Sequence, residues 1–132
     1  MARTTIDRLL EDARCRLDRL DPLSALDAIR AGATLIDIRS DSQIAKDGVV
    51  PEALVIPRNV LEWRLDPASE HHDPSAPHLN DQVILMCNEG YQSSLAAVTL
   101  QQLGFGRATD LEGGFQAWRA AGLPTQQAGE GE

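Results

Sequence analysis

Apolar positions recur along this chain at two spacings, one helical and one extended, and the alternation predicts helices and strands in turn. Ile6, Leu9, Leu10, Ala13 and Leu17 fall on one helical face, with Asp7, Arg8, Glu11, Asp12, Arg14 and Arg16 on the other. This predicts an amphipathic helix from Thr5 to Leu20. Asp21 caps a second helix that has Pro22 at its first position and Gly32 at its end. Short apolar runs at Thr34 to Ile38, Ala53 to Ile56, Val83 to Met86 and Arg107 to Leu111 read as strands. Between them the pattern predicts a short helix near Ser42 to Lys46 and a helical turn through Val60, Leu61 and Trp63 capped by Asn59. A helix from Ser93 to Leu103 ends at Gly104, and Gly113-Gly114 opens a last one that Gly122-Leu123-Pro124 closes. Asp66 to Asn80, with three prolines and three histidines, reads as a long surface loop.

Strands that are apolar along their whole length and alternate with helices predict an α/β fold around a mainly parallel sheet. Ligands of such sheets bind beyond the carboxyl ends of the strands. A length of 132 residues suits one domain with a proper core. The formal net charge of −8 argues against nucleic acid or an anionic membrane as a partner. No apolar run reaches membrane-spanning length. The first residues lack the apolar core of a signal peptide, and Asp7, Glu11 and Asp12 argue against a transit peptide. Two cysteines far apart in sequence make no disulfide framework, so a reducing, cytoplasmic setting is expected.

The candidate chemistry lies at the end of the third strand, where Cys87 to Ser93 reads Cys-Asn-Glu-Gly-Tyr-Gln-Ser. The order strand, cysteine, loop, helix surrounds one sulfur with backbone N–H groups and the positive end of a helix dipole. A thiol so placed is a candidate nucleophile. Ser93 is expected to cap the helix and to donate to the sulfur-bound group. Gln92 offers a neutral donor to a substrate oxygen, and Tyr91 either stacks on a substrate or shields the loop. Arg58 and Arg64 flank the turn from Asn59 to Trp63. They read either as an anion clamp, with Trp63 as an apolar wall, or as partners of surface carboxylates. Asp37 and Arg39 are expected to order the loops beside Cys87. His71, His72, Asp73 and His78 are ordinary metal-ligand types, but in a proline-rich loop they are expected to be solvated, so no metal site is expected. Gly113 and Gly114 are assigned to the turn before the last helix, and Cys15 to the border of its helix's apolar face.

Three blocks carry a family resemblance. Leu35-Ile36-Asp37-Ile38-Arg39 resembles the opening strand and Asp-x-Arg of single-domain rhodaneses. Cys87 to Ala97 resembles their active-site loop and helix, including Ser93-x-x-Ala96-Ala97. Leu111-Glu112-Gly113-Gly114-Phe115-Gln116-Ala117-Trp118, followed by Gly122-Leu123-Pro124, resembles their closing turn and helix. The blocks span Pro22 to Pro124. The resemblance implies a three-layer α/β/α domain over residues 21–125; the predicted first helix makes residues 1–20 an N-terminal extension, and residues 126–132 read as a disordered tail.

It further implies a sulfurtransferase. Cys87 would take a sulfane sulfur from thiosulfate or a low-molecular-weight persulfide, as a cysteine persulfide, and pass it to a thiol or cyanide. Asn88, Glu89, Gly90, Tyr91, Gln92, Ser93 and Arg58 would bind the substrate, and no metal or organic cofactor is implied. The loop departs from the family pattern, which usually has a basic residue just after the cysteine and another at the loop's last position. Here those positions hold Asn88 and Gln92, and Glu89 adds a negative charge. At about 6 Å from the sulfur, Glu89 would cost on the order of 1–3 kcal/mol, and much less if it points outward. Thiosulfate, a dianion, is therefore expected to bind less well than to a basic loop. The alternative is a catalytically weak sulfur-sensing or protein-binding module. Cysteine phosphatases and arsenate reductases share the cysteine–loop–helix design but want an arginine in the loop. The N-terminal helix is expected to pack on its own domain, to form a homodimer or to hold a protein partner.

Overall fold

Helix α1 (Ile6–Arg14) comes first in the computed structural model, which describes residues 2–129. The Thr5 hydroxyl caps it, accepting from the Arg8 N–H at 3.1 Å. The predicted helix to Leu20 stops at Arg14, and tertiary packing explains the difference. Leu17 packs against the core on one side of the sheet and Leu20 against the core on the other. No single straight helix can reach both faces. The segment after Arg14 instead runs to the sheet, where Leu20 pairs in parallel with Leu111.

Helix α2 (Pro22–Arg30) begins as expected, with the Asp21 carboxylate accepting from the Ser24 N–H at 2.8 Å. Strand β1 (Thr34–Asp37) follows, then helix α3 (Asp41–Asp47), whose Ser40 and Gln43 form a reciprocal capping box. Strand β2 (Leu54–Val55) leads through a 3₁₀ turn at Arg58–Val60 into helix α4 (Leu61–Leu65). Asn59 does not cap this turn; its side chain makes no capping bond, and the Val60 N–H is taken by the Pro57 carbonyl instead. After the long loop come β3 (Val83–Met86), α5 (Gln92–Gln102), β4 (Ala108–Asp110) and α6 (Gly114–Ala120).

The four strands form one parallel sheet in the order β2-β1-β3-β4, with Leu85 opposite both Ile36 and Asp110. Alternate strand residues face opposite layers. Ile36, Val83 and Leu85 join Leu61, Leu65, Ala96 and Leu100 on one side. Leu35, Ile84 and Met86 join Ala25, Phe115 and Trp118 on the other. Every residue of β3 is fully buried, and each such aliphatic side chain contributes about 1.5–3 kcal/mol. A strand held this firmly on both faces fixes the position of the residue that follows it, Cys87.

The expected disorder from residue 126 is corrected in part. Gln126 pairs with Val49, with N···O distances of 2.8 and 2.9 Å, and the Trp118 indole N–H donates to the Pro124 carbonyl at 2.9 Å. Burying Trp118 leaves its N–H in need of an acceptor, and the chain after α6 is drawn back to supply one. Residues 130–132 lie outside the described residues. Among the described residues, no helix is long and apolar enough to cross a membrane.

Candidate active site

Cys87 follows β3 directly and is 2% exposed. Its Sγ accepts a hydrogen bond from the Gly90 N–H at 3.1 Å, so the loop folds its backbone over the sulfur. Gly90 does this at φ +87°, and a side chain on it would press on the Gly113 backbone and the Arg19 guanidinium. Helix α5 starts at Gln92 with no side-chain cap, which leaves the positive end of an eleven-residue helix beside the loop.

The closing turn holds the base of the loop. The first N–H groups of α6 have no partners within their own helix. Those of Phe115 and Gln116 donate to the carbonyls of Cys87 at 2.9 Å and Asn88 at 3.1 Å. Gly114 permits this contact, because a Cβ there would overlap the Cys87 carbonyl oxygen. The Gln116 side chain donates to Asn88 Oδ1 at 3.0 Å and to Asp47 Oδ2 at 2.9 Å. That bond, with the Arg119 guanidinium beside it, holds the Asp47 carboxyl below its usual range despite partial burial.

A second network lies behind the loop. Asp110, fully buried at the end of β4, accepts from Ser93 Oγ at 2.7 Å, Ser94 Oγ at 2.8 Å and Arg19 Nε at 2.9 Å. A buried carboxylate needs such a full set of donors to offset its desolvation. Arg19 Nη2 also donates to the Gly90 carbonyl at 3.0 Å, and Arg14 Nη2 donates to the same oxygen at 2.8 Å.

At the carboxyl end of β1, Asp37 and Arg39 form a fully buried two-pronged pair, at 3.0 and 2.7 Å. The Arg39 guanidinium lies 3.8 Å from the Phe115 ring centre and donates to the Gly48 carbonyl at 2.7 Å. The pair ties β1 to α6 and to the end of α3. Beside it opens a cleft of about 560 Å³, bordered by Arg39, Ser40, Gln43, Arg58, Asn59 and Gln92 among others.

A model of the Rhodanese-like domain matches residues 21–121. The chain belongs to the rhodanese-like family. A sulfurtransferase of Allochromatium vinosum is 34% identical over 90 residues, covering 68% of this chain and 75% of the relative. The thiosulfate sulfurtransferase GlpE of Ectopseudomonas mendocina is 29% identical over 110 residues, 83% of this chain and 91% of the relative. Among solved structures, a Rhodopseudomonas palustris protein of unknown function, described as a possible tyrosine phosphatase, superposes with a TM-score of 0.85 at 31% identity. The match covers 96% of this chain and 99% of that one.

The fold brings together only some of the residues expected to form the site of this rhodanese-like domain. Cys87 and Gly90 meet directly, and Gln92 and Arg58 both border the cleft. Arg58 is matched there by Glu62, its Nη1 donating at 2.8 and 3.0 Å. Arg64 and Trp63 are exposed and do not border the cleft, so no apolar wall stands there. Asn88 is held by Gln116, Glu89 is exposed, and Tyr91 is 61% exposed with the Arg14 guanidinium 5.7 Å from its ring centre. Ser93 does not cap α5; its hydroxyl donates to Asp110. Among the described residues, no group of three or more His, Cys, Asp or Glu is gathered as a metal site.

Arg14, Arg19 and Asp110 were absent from the expected set. The available signal was Asp110 itself, a carboxylate inside an apolar strand run, which needs a cation partner from elsewhere in the chain. Sequence does not say which arginine answers it.

Proposed function

We propose that this protein is a sulfurtransferase that carries a sulfane sulfur on Cys87. The observation that carries the reading is the Gly90 N–H directed at the Cys87 sulfur, at the carboxyl end of a parallel strand and the start of a helix. Sulfurtransferase and thiosulfate sulfurtransferase are the names of the relatives that share the domain. In the first half-reaction the Cys87 thiolate attacks the outer sulfur of thiosulfate or of a small persulfide. The S–S bond breaks, and sulfite or a thiolate departs with the electron pair. Loop N–H groups and the helix terminus stabilise the negative charge on the Cys87 persulfide. In the second half-reaction a thiolate or cyanide attacks that outer sulfur, and the Cys87 thiolate leaves. The chemistry needs no metal or organic cofactor.

Small persulfides, whose reacting end carries at most one charge, suit this loop better than the compact thiosulfate dianion, since Asn88 and Gln92 bring no charge and Arg58 is already paired with Glu62. A phosphatase reading is less supported, because no arginine stands between Cys87 and Ser93 to grip a phosphoryl group. The competing reading is a module that binds sulfur or a protein with little turnover, and it too rests on the loop's lack of basic side chains. Steady-state rates with thiosulfate and with glutathione persulfide, each against cyanide and a thiol, separate the two. Turnover that is faster with the persulfide supports the enzyme. Absence of turnover with every pair supports the module.

A further inference from the structure

Residues 1–20 lie outside the stretch that matches the family model, yet they supply two guanidinium groups to the loop that carries the reacting sulfur. Arg14 Nη2 and Arg19 Nη2 both donate to one oxygen, the Gly90 carbonyl, at 2.8 and 3.0 Å. The same residue's N–H is the one on Cys87 Sγ. Glycine moves readily among backbone conformations, so the N–H of Gly90 stays on the sulfur only if something selects that conformation. Two charged donors on its carbonyl do so.

Each arginine is itself held in place. Arg19 is paired with buried Asp110 through Nε at 2.9 Å and Nη2 at 3.2 Å. Arg14 Nε donates to Ser94 Oγ at 3.2 Å, and Ser94 in turn donates to Asp110. The two differ in charge balance. Among the described residues Arg19 has a carboxylate partner and Arg14 has none; Asp7 and Glu11 share its groove without forming an ion pair with it. Arg14 thus brings a guanidinium with no directly paired carboxylate to a loop whose own side chains, Asn88, Glu89 and Gln92, bring no positive charge.

We propose that Arg14 and Arg19 are positioning residues for Cys87. The N-terminal segment clamps the Gly90 carbonyl so that its N–H stays on the sulfur, and Arg14 lends the loop the positive charge it lacks. The inference rests on Cys87 being the reacting group, and it gives residues 1–20 a part in the reaction distinct from a dimer or partner contact. The Rhodopseudomonas palustris structure matches 96% of this chain, more than the family domain alone, so the extension belongs to a shared architecture.

The test is alkylation of Cys87, followed by peptide mass to keep it apart from Cys15. A neutral reagent, iodoacetamide, and an anionic one, iodoacetate, are compared at pH 7 on wild type, Arg14→Met, Arg14→Gln and Arg14→Lys. Arg14→Met is expected to slow iodoacetamide at Cys87 about fivefold to tenfold and iodoacetate further. Arg14→Gln, which keeps a donor for Gly90, should recover most of the iodoacetamide rate while leaving iodoacetate disfavoured. Arg14→Lys, which keeps the charge, should also recover most of the iodoacetate rate. Unchanged rates in all three variants, or a loss in Arg14→Met that neither polar variant recovers, overturns the proposal. No sulfur transfer is needed for the readout. A protein that shows this pattern and transfers no sulfur therefore refutes the proposed reaction alone, and one that transfers sulfur without the pattern refutes the clamp alone.

Discussion

Gly114 lies against Cys87 so closely that a methyl group on it would overlap the Cys87 carbonyl oxygen. It would also come within 2.8 Å of the Asn88 carbonyl oxygen. The glycine has φ +60°, a left-handed conformation that side chains resist. Its absent side chain lets the amides of α6 reach the carbonyls at the base of the active-site loop.

Gly114→Ala is therefore expected to cost about 2 kcal/mol or more. The left-handed backbone accounts for roughly 1 kcal/mol and the backbone overlap for the rest. Urea unfolding measures it, and sulfur loading at Cys87 should slow in parallel as the loop base shifts. Stability within about 0.5 kcal/mol of wild type, the range of ordinary surface changes, would contradict the close approach.

Glu89 is exposed, and an exposed charge acts weakly on its neighbours through solvent screening. Glu89→Arg should raise kcat/KM for thiosulfate about twofold to fivefold at low ionic strength, with the gain shrinking as salt is added. The rate with a small persulfide, whose reacting end carries at most one charge, should change less. A gain beyond about thirtyfold would mean that Glu89 bears on the sulfur directly, against its solvent-facing position.

Asp47 reaches the loop through Gln116, which bonds both Asp47 and Asn88. The Gln116 bond and the Arg119 charge hold the Asp47 carboxyl below its usual value of 3.8. A lowered carboxyl stabilises the fold above its unfolded value of about 3.9 and loses that contribution as pH falls through the folded value. The stability difference between wild type and Asp47→Asn should thus be constant from about pH 5 to 8 and shrink on further acidification. Chemical denaturation across that range checks it, and a difference that drifts between pH 5 and 8 would assign it to other groups.

What the sequence shows clearly in this chain is what local patterns dictate. The wholly apolar run Val83 to Met86 became an interior strand, and Asp21 with Pro22 marked the start of α2. Cys87 at a strand end was legible for the same reason. What the sequence hides is contact between distant segments. The helical spacing of Leu17 was overridden because Leu17 and Leu20 serve opposite faces of the sheet. Ser93 looked like a helix cap, but it lies inside α5 and its hydroxyl donates to buried Asp110, seventeen positions on. The charge sought at Arg58 is matched by Glu62 one turn away, while two arginines from the first twenty residues reach the loop instead. Such pairings are fixed by the packing of the whole domain, which local residue spacing does not encode.

The central claim, that Cys87 carries the transferred sulfur, is tested most directly by intact mass. Wild type and Cys87→Ser are incubated with thiosulfate and, separately, with glutathione persulfide, then treated with cyanide or a thiol. The account predicts that wild type alone gains one sulfur atom, more readily from the persulfide, and loses it on treatment. An equal gain in Cys87→Ser, or no gain in wild type from either donor, would contradict it.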